Sequence, residues 1–170
     1  RQNYAQDLQI SSRGFGARST FGVRGVRLIA DGIPATMPDG QGQAATFNLE
    51  SARQMEVLRG PYSAVYGNSA GGVIQIFSAE PAQQPTLGSG LWFGSFGSSR
   101  ASMHFSGRSG SFGAVVDFSR FDTDGYRDHS AATRDHANAK LKWNIGDTAS
   151  LTFVANSLRQ MDTQDPLGLT

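Results

Sequence analysis

The side chains best suited to covalent or metal chemistry are sparse in this sequence. Among 170 residues there is no Cys, and the three histidines are His104, His129 and His136. The lack of thiols removes disulfides, thiolate metal sites and a Cys nucleophile together. The histidines share no metal-ligand spacing: His104 and His136 fall on the polar faces of strand-like segments, where hydration is expected, and His129 lies in a loop-like stretch. No Ser, His and Asp are set out as a nucleophilic site requires. Asp122-Thr123-Asp124-Gly125 has the opening of a calcium loop without its remaining ligands. The glycines make no phosphate cradle. Gly71-Gly72 is followed by Val73 rather than by Lys and Ser or Thr, and Gly14-Phe15-Gly16 lacks a third glycine at dinucleotide spacing. Met37 alone is too little for a copper site. No catalytic constellation is expected, and no cofactor is implied.

Composition shows what must position the remaining residues. Hydrophobic residues make up 38%, charged residues 17%, and Gly accounts for 21 positions, which fits many short strands and turns. The formal charge of +1, without a Lys/Arg run, provides no field for nucleic acid, so no nucleic-acid partner is expected. No segment approaches the roughly 18 apolar residues of a membrane-spanning helix. If the protein meets a bilayer, strands must do it. A start at Arg1 and an end at Leu169-Thr170 in a polar stretch lead us to expect an excerpt of a longer chain.

The texture changes across the polar segment 78–85, which contains two prolines. Before it, the apolar runs 26–30, 55–58 and 73–77 alternate with Gly-rich turns, and a weakly helical piece, 49–54, follows Asn48 as a possible cap. Asp31-Gly32 signals a tight turn, and Gly71-Gly72 signals positive φ or close backbone approach. After it, alternation has period two. Ala137, Ala139, Leu141, Trp143 and Ile145 share one face, while His136, Asn138, Lys140, Lys142 and Asn144 share the other. Ala101, Met103 and Phe105, then Phe112, Ala114, Val116 and Phe118, then Leu151, Phe153 and Ala155 repeat the pattern, and 87–96 opens the series. Five strands of roughly 9–11 residues are expected, the length that crosses a membrane at a tilt. The connections at 108–112 and 146–147 are short and that at 122–135 is long, an outer-membrane barrel habit. Alternation alone fits a soluble β-meander with one wet face equally well.

The stretch Glu56-Val57-Leu58-Arg59-Gly60-Pro61-Tyr62-Ser63-Ala64-Val65-Tyr66-Gly67-Asn68-Ser69-Ala70-Gly71-Gly72-Val73-Ile74-Gln75-Ile76 closely resembles the end of the plug domain in TonB-dependent receptors. Upstream, Ile10-Ser11-Ser12-Arg13-Gly14-Phe15-Gly16 resembles the family's Arg-Gly-Phe segment. Val26-Arg27-Leu28-Ile29-Ala30-Asp31-Gly32-Ile33-Pro34 is similar to its strand and turn before the ligand-facing loop. Three motifs occur in the family's order. The resemblance is strong over residues 1–81, and beyond them it rests on strand type and position.

The resemblance implies an α+β plug segment at 1–81, the later part of the plug, followed at 86–170 by the first five or so strands of an antiparallel transmembrane β-barrel. The whole would be a plugged barrel of about 22 strands in the bacterial outer membrane. It implies a receptor rather than an enzyme, one that binds a scarce external ligand and imports it with energy from TonB. A ferric siderophore is the expected cargo; haem, cobalamin, another metal complex or a glycan is the alternative within the class. A passive porin is opposed by the plug motif, and a soluble β-protein would bury the apolar strand faces in protein. Outer-membrane lipid and TonB are the implied partners. Arg13 and Arg59 would form ion pairs with carboxylates of the barrel wall, attractions that hold only while their geometry holds. The plug loops 17–22 and 34–47 would face the ligand. There Arg18, Ser19 and Thr20 could hold an anionic chelate oxygen, Gln41 and Gln43 could give neutral hydrogen bonds, and Phe21 or Met37 could give apolar contact.

Overall fold

The computed structural model describes residues 4–5, 8–19, 22–60, 62–67 and 69–167, which fold into two units. One comprises residues 6–47 and 52–78, and the other residues 1–5, 48–51 and 79–170.

The first unit is built on a four-stranded mixed sheet. Its strands are β2 (Arg27–Ala30), β3 (Ile33–Pro34), β5 (Ala52–Leu58) and β6 (Val73–Ser78), in the order β3-β2-β6-β5. β1 (Val23–Arg24) and β4 (Gln41–Gly42) pair separately, and a single turn of helix, α1 (Ser63–Tyr66), lies between β5 and β6. β2 is central, running parallel to β6 and antiparallel to β3, which explains why its Leu28-Ile29 step is buried. Asp31 (φ 49) and Gly32 (φ 80) make the reversal into β3, as their residue types predict. The Asp31 carboxylate accepts from the Ser78 amide at 2.9 Å and from its hydroxyl at 2.7 Å, tying that turn to the end of β6. Val23, Val26, Leu28 and Ala44 form the core, with Ile10, Ala35, Phe47 and Ile74 against it. Gly72 (φ 124) packs where any Cβ would collide with the Leu58 carbonyl oxygen. Both readings of the Gly-Gly pair, positive φ and close approach, therefore apply there.

The second unit is an antiparallel meander of five strands in sequence order: β7 (Thr86–Phe93), β8 (Ser99–Ser109), β9 (Phe112–Thr123), β10 (Ala132–Ile145) and β11 (Ala149–Met161). The register carries the sequence alternation across the sheet. Leu141 pairs with Ala114 and Phe153, Trp143 with Phe112 and Leu151, and Phe105 with Leu87 and Val116. One face is therefore apolar from edge to edge, and it is bare: Leu87, Leu91 and Phe93 are 73–75% exposed. The tight turns carry Gly110 (φ 57) and Gly146 (φ 64) at one end of the sheet, and the longer loops 94–98 and 124–131 lie at the other. Among the described residues no helix is long and apolar enough to cross a membrane.

Three expectations are corrected. Residues 49–54 are not helical: Asn48 Oδ1 accepts the Glu50 amide at 2.9 Å, closing a turn, and from Ala52 onward the chain pairs with β6. The strands run from 8 to 14 residues, because β9 and β10 extend into the stretch read as a long loop. The polar face is not uniformly wet: Asp117, Ser119, His136, Asn138 and Lys140 are all buried. Part of this face is covered by the segment leading to β7, whose Glu80 meets Lys140 and Lys142.

Candidate functional site

Arg13 is presented by a two-residue reversal. Ser12 and Phe15 exchange backbone hydrogen bonds of 3.0 and 2.9 Å, with Arg13 (φ 52) and Gly14 (φ 86) between them in the left-handed region. That conformation suits Gly and costs an Arg roughly 1 kcal/mol. Arg59 follows the end of β5. The fold brings the two arginines to one cleft of about 330 Å³, with Ile10, Val57, Gly72 and Ile74 also in its walls. Among the described residues neither arginine has a carboxylate partner. Glu56, one turn of strand away, instead accepts from Gln54 Nε2 at 2.7 Å.

The loop residues divide into two groups. Met37 and Gln41 belong to one closed turn: the Met37 amide donates to the Gln41 carbonyl at 2.8 Å, and the Gln41 amide donates to Asp39 Oδ1 at 3.0 Å. Arg24 donates to Gln41 Oε1 at 3.3 Å. Ser19 Oγ donates to the Gly22 carbonyl, and a Cβ at Gly22 would lie 3.2 Å from Gln41 Nε2. The turn carrying Ser19 and the turn carrying Met37 and Gln41 are thus neighbours. Arg18 and Gln43 are exposed and make no side-chain hydrogen bond among the described residues. Thr20 and Phe21 lie outside the described residues.

Sequence reading missed the chemistry of the polar face of the five-stranded sheet. Glu80, in the segment leading to β7, accepts from Lys140 Nζ at 2.8 Å and Lys142 Nζ at 2.9 Å. Burial alone would raise its pKa, but the hydrogen bonds and charges of the two lysines outweigh that and hold the carboxyl below its usual range. The same segment is fixed by the Ala82 amide donating to Ser106 Oγ at 2.9 Å, and Pro81 packs where Gly113 has no side chain. Glu50 meets Arg100 Nη2 at 2.5 Å. His104 Nδ1 lies 2.5 Å from Asp117 Oδ1, so that histidine is partnered rather than merely hydrated. The period-two pattern put Arg100, His104, Lys140 and Lys142 on one face, but nothing in it marked Glu50 or Glu80 as their partners.

The described residues thus comprise a small α+β unit and an antiparallel five-stranded meander with one bare apolar face. Residues 1–73 match the family described as TonB-dependent Receptor Plug Domain. The fold is shared with the pyoverdine outer membrane receptor FpvA from Pseudomonas aeruginosa, bound to pyoverdine (TM-score 0.70, 20% identity, 79% of this chain and 20% of that one). It is shared also with the siderophore receptor PirA from Pseudomonas aeruginosa (TM-score 0.65, 23% identity, 89% of this chain and 28% of that one). A third is the ferric yersiniabactin uptake receptor FyuA from Yersinia pestis (TM-score 0.59, 24% identity, 78% of this chain and 22% of that one). The chain thus spans 20–28% of the length of these receptors. What the chain shares with TonB-dependent receptors is the plug-domain match over residues 1–73 and the fold of the corresponding part of these outer-membrane receptors.

Proposed function

We propose that this chain is part of a receptor that captures a ferric siderophore at the cell surface and imports it with energy from TonB. Residues 1–81 would be the later part of the plug and residues 86–170 the first five strands of a barrel of about 22. The observation that carries the reading is the union in one chain of a plug unit with a sheet whose apolar face is uncovered. A bilayer suits that face, and a plug has work to do only where a wide pore must stay shut until it is opened. The names of the three structural relatives, all receptors for siderophores or their ferric complexes, favour iron-chelate cargo.

Within this reading Arg13 and Arg59 engage carboxylates of barrel strands beyond this sequence. The left-handed Arg13 is a strained residue held in place, as functional contacts often are. Arg18, Ser19, Thr20, Phe21, Met37, Gln41 and Gln43 face the ligand. The test is titration of the full-length receptor in detergent with ferric siderophores, haem and cobalamin, followed by tryptophan fluorescence. Saturable quenching by a ferric chelate is expected, and binding confined to haem or cobalamin would overturn the siderophore reading.

A further inference from the structure

The outward end of the polar face holds a second cavity, of about 430 Å³, made entirely by the sheet unit. Trp92 of β7 and Phe121 of β9 stand on either side of Arg100 of β8, which pairs with Phe121 across the ladder as Trp92 does with Arg100. Gly90 pairs with Ser102, and a Cβ there would lie 3.0 Å from Ser102 Oγ, so that hydroxyl borders the cavity where Gly90 has no side chain. The two rings are braced. Phe121 packs against Tyr4 with ring centroids 5.4 Å apart, and Trp92 folds over Gly94, where a Cβ would strike the indole. Arg100 gives Nη2 to Glu50, yet its Nε is buried without an acceptor. A buried guanidinium N–H beside two held aromatic rings calls for a flat group with an acceptor on its edge.

We infer that this cavity is an aryl subsite: Trp92 and Phe121 flank a planar aromatic ring of the ligand, and Arg100 Nε donates to an oxygen on that ring's edge. Glu50 fixes the guanidinium in place, and Ser102 offers a second polar contact. The cavity lies at the end of the sheet bearing the longer loops, which in outer-membrane barrels face outward. It would therefore meet ligand before the plug moves. The inference rests on the ferric-chelate reading above and narrows the cargo to chelates that carry aryl rings.

The experiment uses the full-length receptor in detergent and equilibrium dialysis with radioactive iron, because substituting Trp92 would remove a fluorescent reporter. The probes are a ferric tris-catecholate, with three dihydroxybenzoyl arms, and a ferric trihydroxamate without rings. The wild-type protein is expected to favour the catecholate. Trp92→Leu and Phe121→Leu should each weaken catecholate binding roughly three- to tenfold and leave the hydroxamate unchanged. Trp143→Leu, on the apolar face, should change neither. Catecholate affinity that survives both substitutions, or equal losses for both probes, overturns the subsite. A wild-type protein that binds only the hydroxamate overturns the subsite and spares the ferric-chelate reading; one that binds neither overturns both.

Discussion

Replacing Glu80 by Gln should loosen the segment that leads into β7 without disturbing the strands. The carboxylate makes two charge-assisted hydrogen bonds, to Lys140 and Lys142, each worth about 1.5–3 kcal/mol when well shielded. Its side chain is 45% exposed, however, so water screens the pair and the lower part of that range applies. Gln keeps one acceptor for one lysine, which leaves a net loss of about 1–2 kcal/mol, or roughly a tenfold rise in local opening. Lys140, only 7% exposed, would lose its carboxylate, so Lys140→Met in the same chain should recover part of the loss. The readout is hydrogen exchange of the Ala79 and Ala82 amides in the full-length receptor, since these donate to Ser51 and Ser106 and report directly on the segment. The pH dependence has a definite sign. Because the folded carboxyl titrates below 4.5, its contribution is full above that pH and is lost as pH falls through the folded value. Wild type should therefore converge on Glu80→Gln at pH well below 4.5. Equal exchange at pH 7, or a difference that persists undiminished in acid, would refute the reasoning.

Gly72→Ala should destabilise the first unit by about 3 kcal/mol, since φ is 124 and the new Cβ meets the Leu58 carbonyl, whereas Gly14→Ala, with open space around it, should cost about 1 kcal/mol. Tryptic cleavage within residues 22–60 would rank the two, and equal resistance would contradict the backbone argument. Leu141→Arg places a charge in the middle of the bare apolar face and should cost about 2–4 kcal/mol in urea titrations of the receptor in lipid vesicles. Lys142→Ala, on the opposite face, should cost less than half as much, and the reverse order would exchange the lipid and polar faces. Arg59→Gln should leave ligand affinity within about twofold and lower iron uptake, a separation measured by binding and transport on the same cells.

The elements that sequence reading caught are those whose cause is local. Asp31-Gly32 turns because both residues tolerate positive φ, and β10 shows its alternation from His136 to Ile145, where successive side chains fall on opposite faces of the sheet. Residues 49–54 misled because Asn48 is as good at closing a short turn as at starting a helix. What decided between them was pairing of β5 with β6, a contact the segment's own composition does not encode. Likewise the shared cleft of Arg13 and Arg59 follows from the sheet that joins β5 to β6 and from the Ser12–Phe15 reversal, two features separated by most of the unit.

The polar face was legible as a list of polar residues but not as a site. Glu80 and Lys140 are 60 positions apart, and their contact requires both the order of strands and the path of the connecting segment. Yet the arrangement has a simple physical logic. Segments 48–51 and 79–82 bracket β5, α1 and β6 in sequence, and each is attached to the sheet by a carboxylate: Glu50 to Arg100, Glu80 to Lys140 and Lys142. The hydrophobic core of the first unit, built on Val23, Val26, Leu28 and Ala44, contains none of these charged residues. Losing Glu80's bonds should then free the segment and leave that core intact, which is why local exchange, not global unfolding, is the measurement that can see it.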